Sequence, residues 1–356
     1  MNKVDNILAN QVKGHKTPSV QYAIFDKDKV IHAFRSGLAD VKNQRKVNEQ
    51  TTYHAYSITK TFTALAILQL AEQGTLDIDH SAKKYLPGFP YSPDITIRQL
   101  MTHSAGIPNP IPLSWIHLAS EHNSFDRDRF FAQIFRKHNK TSSKPNEKFS
   151  YSNLGYVLLG QLIEQVTEST YEQYIYERIL KKIDLHPNEL GFIISDVAQH
   201  AKGYHKWWSF LNLILGFLID KSKYMDKREG PWKPFKNLYV NGPSYGGLIG
   251  TPAAFVKYIQ ELLRPGSSLI SPDYKKMLFT ENHTADDRPT GMCLSWFKGA
   301  LNDKTYFAHS GGGGGYYCEL RIYPDQGIGS VVMFNRTGLS DERFLDKLDR
   351  AAVPLS

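Results

Sequence analysis

The absences in this sequence narrow its function first. Cysteine is scarce: Cys293 and Cys318 are the only two among 356 residues. Two cysteines make no disulfide framework, and neither stands at metal-ligand spacing from another ligand-type residue. Both fall in stretches that read as strands. No apolar run reaches the roughly 20 residues needed to cross a bilayer. Residues 1–11 carry no apolar stretch of the kind a signal peptide needs. The chain as written therefore reads as cytoplasmic, or as exported or membrane-associated if a leader was removed. Zinc-ligand pairs, RNA-binding aromatic signatures and heptads behind a basic region are missing, which excludes the common nucleic-acid modules. Internal repeats and low-complexity tracts are missing too. His15, His32, His54 and His200 show no ligand spacing, so no metal or cofactor is expected.

What is present fits a large folded unit. Apolar residues make up 41% and charged residues 22% of the chain, ample for one extended core. The net charge of +8 is modest at this length. It suits an ordinary basic surface, and it also suits an anionic polymer or membrane partner. Val20 to Phe25 and Val30 to Phe34 read as two strands joined by a polar turn. Ser57 to Gln73 reads as a helix ending at Gly74, apolar on nearly all its faces and therefore buried. Further helices are expected at Thr96 to Thr102, Asn153 to Gln165, Tyr171 to Lys181 and Pro252 to Leu263. Thr251 and Pro252 supply the cap and first position of the last. Gly291 to Lys298, Thr305 to His309, Tyr316 to Tyr323 and Gly327 to Asn335 read as antiparallel strands, and about Asp341 to Ala351 as a closing helix. The expected fold is α/β (α+β): one antiparallel sheet built from both chain termini, flanked by helices, with an all-helical lobe packed against it. In residue terms the whole chain is a single catalytic unit. The α/β lobe takes about 1–54 and 243–356, the helical lobe about 55–242, and the cleft between them is the natural place for a site.

Three short patterns carry chemistry. Ser57-Ile58-Thr59-Lys60 puts a hydroxyl and an amine on one helix face, three residues apart. A serine hydroxyl needs a base to become a nucleophile. A lysine can be that base when burial lowers its pKa. Four residues of this kind also describe a helix cap followed by a surface lysine, but the apolar helix behind them argues otherwise. Tyr151-Ser152-Asn153 stands at a junction into a helix. Its tyrosine can relay a proton beside Lys60, and its amide can hold the lysine and bind a substrate amide; a core aromatic with a capping asparagine is the plainer alternative. His309-Ser310-Gly311-Gly312 ends a strand and opens a glycine run. A substrate backbone can lie close along such an edge, and the N–H groups of Ser57 and Gly312 can form an oxyanion hole. A plain glycine hairpin is the alternative here.

Taken together and in this order, the three patterns resemble those of the serine β-lactamase-like and penicillin-binding protein superfamily, in its branch of class C β-lactamases, DD-peptidases and esterases. The stretches LMTHSAGIPN, FSYSNLGYVLLGQLIE, SYGGLIGTPAAFVKYIQELL and FAHSGGGGGYYCELRIYPDQGIGSVVMFN extend the resemblance from about residue 19 to 349. It implies that Ser57 is the acylated nucleophile and Lys60 its proton acceptor. It implies that Tyr151 is a general base or acid, that Asn153 contacts a substrate amide, and that His309, Ser310 and Gly311 flank the bound substrate. His103 and Ser104 belong to a structural turn in that family. The class C enzymes carry Lys-Thr-Gly where this chain has His309-Ser310-Gly311. A histidine is only partly charged at neutral pH, which speaks against efficient β-lactam hydrolysis, while related peptidases and esterases often carry a histidine there.

The expected function is a serine hydrolase forming an acyl-enzyme on Ser57 and cleaving an amide or ester: a D-amino-acid peptide, a small ester or a β-lactam. The alternatives are a penicillin-binding sensor and a non-catalytic scaffold of the same fold. Expected partners are a small-molecule or peptide substrate and no nucleic acid. One segment lies outside the family pattern. Trp207 to Ile219 is an apolar insert with basic residues on both sides. It reads either as a core or lid helix or as a peripheral membrane contact.

Overall fold

The computed structural model describes residues 2–110, 114–209, 220–337 and 343–352. A seven-stranded antiparallel sheet organises the molecule. Its strands are β1 (Ser19–Asp26), β2 (Val30–Asp40), β3 (Arg45–Lys46), β4 (Phe297–Leu301), β5 (Lys304–Gly313), β6 (Tyr316–Tyr323) and β7 (Ile328–Phe334). Their order is β4-β5-β6-β7-β1-β2-β3, so the β7–β1 pairing joins the two ends of the chain in mid-sheet. The helices that shape the site or cover the sheet are α1 (Asn2–Lys13), α2 (Thr59–Glu72), α3 (Asn153–Thr167), α4 (Pro243–Gly246), α5 (Pro252–Leu263) and α6 (Leu345–Ala352).

Alternation along the central strands divides the core in two. Val20, Tyr22 and Ile24 of β1, with Val332 and Phe334 of β7, pack under Val4 and Leu8 of α1 and Leu345 and Leu348 of α6. Ala23, Phe25, Val331 and Met333 point the other way, into the larger cluster that holds α5, α2 and α3. A strand buried on both faces must be apolar at odd and even positions alike, as β7 is. Between sheet and α2, the ring of Tyr258 from α5 stacks on Phe62 at 3.9 Å. Every residue of α2 from Thr59 to Leu70 is buried.

Several expectations need correction. Gly291 to Lys298 is not a strand. Gly291 and Ser295 have φ of +70° and +72°, which breaks an extended chain. The Cys293 N–H closes a tight turn on the Trp296 carbonyl at 2.7 Å, and β4 starts only at Phe297. Cys293 is therefore in a turn, while Cys318 is in β6. The strand expected over Thr305 to His309 is longer: β5 continues into the glycine run as far as Gly313. Helix α1 was not foreseen, although Val4, Ile7, Leu8 and Val12 are spaced for one helical face. The helix from Tyr171 is regular only to Ile175 and then widens into a π-helical turn over Tyr176–Leu180. Of the apolar insert, residues 210–219 lie outside the described residues, as do 341 and 342 at the start of the closing helix.

A buried ionic group ties α6 to the sheet. Arg321 of β6 is fully buried, 2.7 Å from Glu319, 2.8 Å from Asp346 and 3.5 Å from Asp349. Glu319 and Asp349 are buried with it, so two enclosed carboxylates share one guanidinium. Burial raises the pKa of Asp349 to about 7, against the pull of Arg321 and of the hydroxyls of Tyr323 and Ser330. A carboxyl whose pKa is raised by folding binds its proton more tightly in the folded state. Its contribution to stability is therefore greatest in acid and declines as pH rises from about 4 to about 7. Asp349→Asn should flatten this decline, measured as the difference between urea midpoints at pH 5 and pH 7.

Candidate active site

The nucleophile candidate sits on a turn that only its side chain leaves. Residues Tyr56–Ile58 form a 3₁₀ turn leading into α2. From Thr51 to Leu70, Ser57 is the one residue that is not buried. Tyr56 has φ of +45°, a conformation that costs a non-glycine residue energy. Its ring is held by stacking on His54 at 5.4 Å and by the close backbone of Gly313. The expected helix start at Ser57 is thus a turn, and the α-helix proper begins at Thr59.

Lys60 is fully buried one turn on. Its Nζ lies 3.0 Å from Ser57 Oγ and 2.6 Å from the Tyr245 carbonyl oxygen. Three rings surround the amine, those of Tyr151, Tyr245 and Tyr156, at 5.1, 5.4 and 5.5 Å. Burial pushes the lysine pKa well below its ordinary value. Burial thus favours the uncharged form, which has a lone pair to offer. The carbonyl that holds it comes from α4, which two threonines of α2 anchor: Thr63 Oγ1 donates to the Ser244 carbonyl at 2.7 Å, and Thr59 Oγ1 accepts from the Leu248 N–H at 3.1 Å. Gly160 of α3 lets α4 come close, since a Cβ there would lie 2.4 Å from Ser244 Oγ. The anchor carbonyl was invisible in the sequence. The threonines on an otherwise apolar helix were its only trace.

Tyr151 is brought to the same place. Burial raises its pKa above the usual tyrosine range, against the smaller pull of the neighbouring Ser57 side chain. Asn153 begins α3, but the helix cap is Ser152, whose Oγ accepts from the Gly155 N–H at 3.1 Å. The side-chain nitrogen of Asn153 donates to Asn109 Oδ1 at 3.2 Å, and its Oδ1 is buried without a partner. The expectation that Asn153 holds the lysine is therefore corrected: the second contact of Lys60 is the Tyr245 carbonyl.

Strand β5 closes the site on the opposite side. A Cβ on Gly311 would lie 2.0 Å from the Ala55 oxygen and 2.9 Å from the Ser57 nitrogen, so only glycine lets the strand lie against the nucleophile turn. Gly312 beside it is exposed. β4 pairs with β5 only as far as Ala308, which leaves the edge from His309 to Gly313 without a neighbouring strand among the described residues. His309 is buried with its Nδ1 at 2.7 Å from the Ser310 carbonyl, and Nε2 has no partner. Burial, then the proximity of Lys60, pushes its pKa down to about 3. The structure thus brings Ser57, Lys60 and Tyr151 together, sets His309 near Lys60 and lays Gly311 against Ser57, with Ser310 and Gly312 beside it on β5, while Asn153 lies two residues from Tyr151 with its side chain on Asn109. Among the described residues, no group of three or more His, Cys, Asp or Glu is placed to hold a metal ion.

His103 does more than turn the chain. Its carbonyl accepts the Ser150 N–H at 2.7 Å and its Nδ1 accepts the Ser152 N–H at 3.0 Å. It therefore grips both neighbours of Tyr151 while its ring lies 4.2 Å from the Tyr151 ring. Its φ of +55° is a second strained position. Burial first, then Lys60 and His309, keep it neutral, which its role as a hydrogen-bond acceptor requires.

The beta-lactamase family model matches residues 4–353. The chain belongs to the beta-lactamase family. Among its relatives, Protein flp of Staphylococcus aureus (strain MW2) is 26% identical over 346 residues, covering 94% of this chain and 62% of the relative. Penicillin-binding protein 4* of Bacillus subtilis (strain 168) is 32% identical over 310 residues, covering 86% and 65%. The chain thus spans less than two-thirds of the length of both. The octameric penicillin-binding protein homologue from Pyrococcus abyssi has a similar structure, with a TM-score of 0.79 at 25% identity, covering 99% of this chain and 76% of that one. The fold of this family member is of the β-lactamase and transpeptidase type, as its sheet and motifs lead one to expect.

A positioning role for His103 has a direct test. His103→Phe keeps a ring against Tyr151 but removes the Nδ1 acceptor. Misplacing the phenol by about 1 Å should cost on the order of 10²-fold in kcat. KM and the far-ultraviolet dichroism should change little. An unchanged kcat would limit His103 to the turn.

Proposed function

We propose that this protein is a serine hydrolase that forms an acyl-enzyme on Ser57 and cleaves an ester or amide. One observation carries the reading: a fully buried lysine amine within 3.0 Å of the one serine hydroxyl that leaves its buried turn. The neutral amine of Lys60 takes the Ser57 proton as Oγ attacks the substrate carbonyl. The N–H groups of Ser57 and Gly312 receive the oxyanion. Tyr151 stays a phenol because burial disfavours phenolate. It therefore serves as an acid, passing its proton to the leaving oxygen or nitrogen and recovering one from the Lys60 ammonium. Asn153 Oδ1, buried without a partner, accepts an N–H from the substrate. Water then attacks the acyl-enzyme with the same groups in reverse order. Family membership supports this chemistry.

The state of His309 bears on the substrate. An imidazole with a pKa near 3 is uncharged at neutral pH and offers no cation to a carboxylate. Acyl donors without a carboxylate beside the scissile bond suit this cleft best: simple esters, and amides or esters of D-amino acids. β-Lactams, which carry a carboxylate, suit it less.

A fluorophosphonate probe should label the wild type, with mass spectrometry placing the adduct on Ser57, and Ser57→Ala should abolish labelling. An adduct on another serine would overturn the assignment. Lys60→Ala should slow acylation by about 10²–10⁴-fold, the usual worth of a general base. In the wild type, acylation should rise with pH as Lys60 loses its proton, through an inflection below the ordinary lysine range. His309 should add no inflection between about pH 5 and 8.

The substrate reading is tested separately. The C-terminal amide or methyl ester of a D-Ala-D-Ala peptide should show at least a tenfold higher kcat/KM than the free acid, with nitrocefin turned over poorly. Preference for the free acid would reject the role given to neutral His309 and leave the serine mechanism standing.

A further inference from the structure

A second cavity is built without the groups at Ser57. It holds about 700 Å³, within the range of small-molecule sites, and neither Ser57, Lys60, Tyr151 nor any residue of β5 lines it. Part of its wall is a pair of strands, Ile116–Leu118 against Leu238–Val240, which bring in His117 and Tyr239. Another part is the π-helical turn Tyr176–Leu180, which contributes both of its end residues. Such turns interrupt the regular helical ladder and recur at functional sites. Rings make up much of the rest. The His117 ring stacks on Phe125 at 4.3 Å and on His122 at 5.2 Å, and Tyr239 lies 4.7 Å from His122. Phe192 adds a further ring, set edge-on to Tyr171 at 5.6 Å. The faces of such rings attract cations.

The two imidazoles form a directed chain. Asn241 Oδ1 lies 2.8 Å from His117 Nδ1, so that nitrogen carries the proton and donates it. His117 Nε2 is then a lone pair, and burial, which pushes the His117 pKa down, keeps it one. His122 Nδ1, 2.9 Å away, must donate to it. The single proton of a neutral His122 is spent in that bond, and its Nε2 becomes an acceptor on an exposed ring. The charged groups lean the same way. Among the described residues that line the cavity, Asp126, Asp128 and Glu172 carry negative charge, against one guanidinium, that of Arg127. Arg127 is itself matched by Glu164 at 2.9 Å and Glu172 at 3.1 Å. Asp126 caps the helix Arg127–Lys137 by accepting the Arg129 N–H at 2.9 Å, and Asp128 is exposed on its first turn. A recess lined by an excess of one sign of charge concentrates ligands of the other.

We propose that this cavity is a binding site for an organic amine, an ammonium group carried on an aromatic body. The rings hold the body, Asp128 supplies the opposite charge, and His122 Nε2 accepts an N–H. The site is independent of the chemistry at Ser57 and holds even if the hydrolase assignment fails.

The test is calorimetric titration of the full chain with three probes that share one ring system: tryptamine, its alcohol counterpart tryptophol and its acid counterpart indole-3-propionate. Tryptamine should bind about tenfold more tightly than either of the others. His122→Ala and Asp128→Asn should each weaken tryptamine by about threefold, the usual worth of one exposed polar contact, and should leave tryptophol less affected. Both side chains are exposed, so their replacement leaves the fold intact. Asp128→Lys should reverse the order of tryptamine and indole-3-propionate. Absence of tryptamine binding up to about 10 mM, or equal binding of the three probes, would overturn the proposal. So would tryptamine binding that neither His122→Ala nor Asp128→Asn alters, since the amine would then sit elsewhere, the Ser57 cleft included.

Discussion

The structure depends on keeping water away from one amine. The proposed role of Lys60 toward Ser57 requires it to give up its charge, and burial, which lowers its pKa, favours that. Everything around α2 serves that condition. The sheet and α5 cover it from one side, α3 and α4 from others, and three tyrosine rings close the remaining space. A buried amine still needs a hydrogen-bond partner, and the Tyr245 carbonyl supplies one without adding a counter-charge. A carboxylate in that position would have stabilised the ammonium form and removed the base.

Around this amine the backbone is held in conformations it would not adopt freely. Tyr56 before the nucleophile and His103 behind the phenol both have positive φ. Neither is relaxed locally, and both are fixed by their surroundings: Tyr56 by ring stacking and a glycine strand, His103 by bonds to the residues flanking Tyr151. Positive φ in non-glycine residues at a site is the usual sign that geometry there is set by the whole fold. The candidate site residues thus come from the turn into α2 and α2 itself, from the junction into α3 and from β5, and each rests on packing elsewhere.

Much of this was legible in the sequence because it rests on local pattern. The apolar run after Lys60 announced a buried helix, Thr251-Pro252 announced the start of α5, and alternating or continuous apolar runs announced β1, β6 and β7. The three short motifs located the site because each combines residue types whose chemistry is interdependent. What stayed hidden was set by contacts distant along the chain. The carbonyl of Tyr245 carries no side-chain signature. The capping role weighed as the plainer alternative for Asn153 belongs to Ser152, a difference of a single residue that the pattern does not resolve. The stretch from Gly291 failed as a strand because Gly291 and Ser295 turn the chain in a way that apolar composition alone does not reveal. A glycine hairpin was the alternative for the run after Ser310, because glycines ordinarily mark turns, whereas here they permit β5 to pass against Ala55.

The free edge of β5 from His309 to Gly313 has one more consequence. A strand with no neighbour is a template, and it will accept any extended chain that reaches it, including a copy of its own sequence. The proposed hydrolysis requires this edge to stay open, so neither proline nor a bulge can blunt it. The edge is short, and most of it has no side chains for a foreign strand to grip. The same glycines that let β5 lie against Ala55 thus limit self-association, and side chains added there would both displace the strand from the nucleophile turn and give a second copy something to hold.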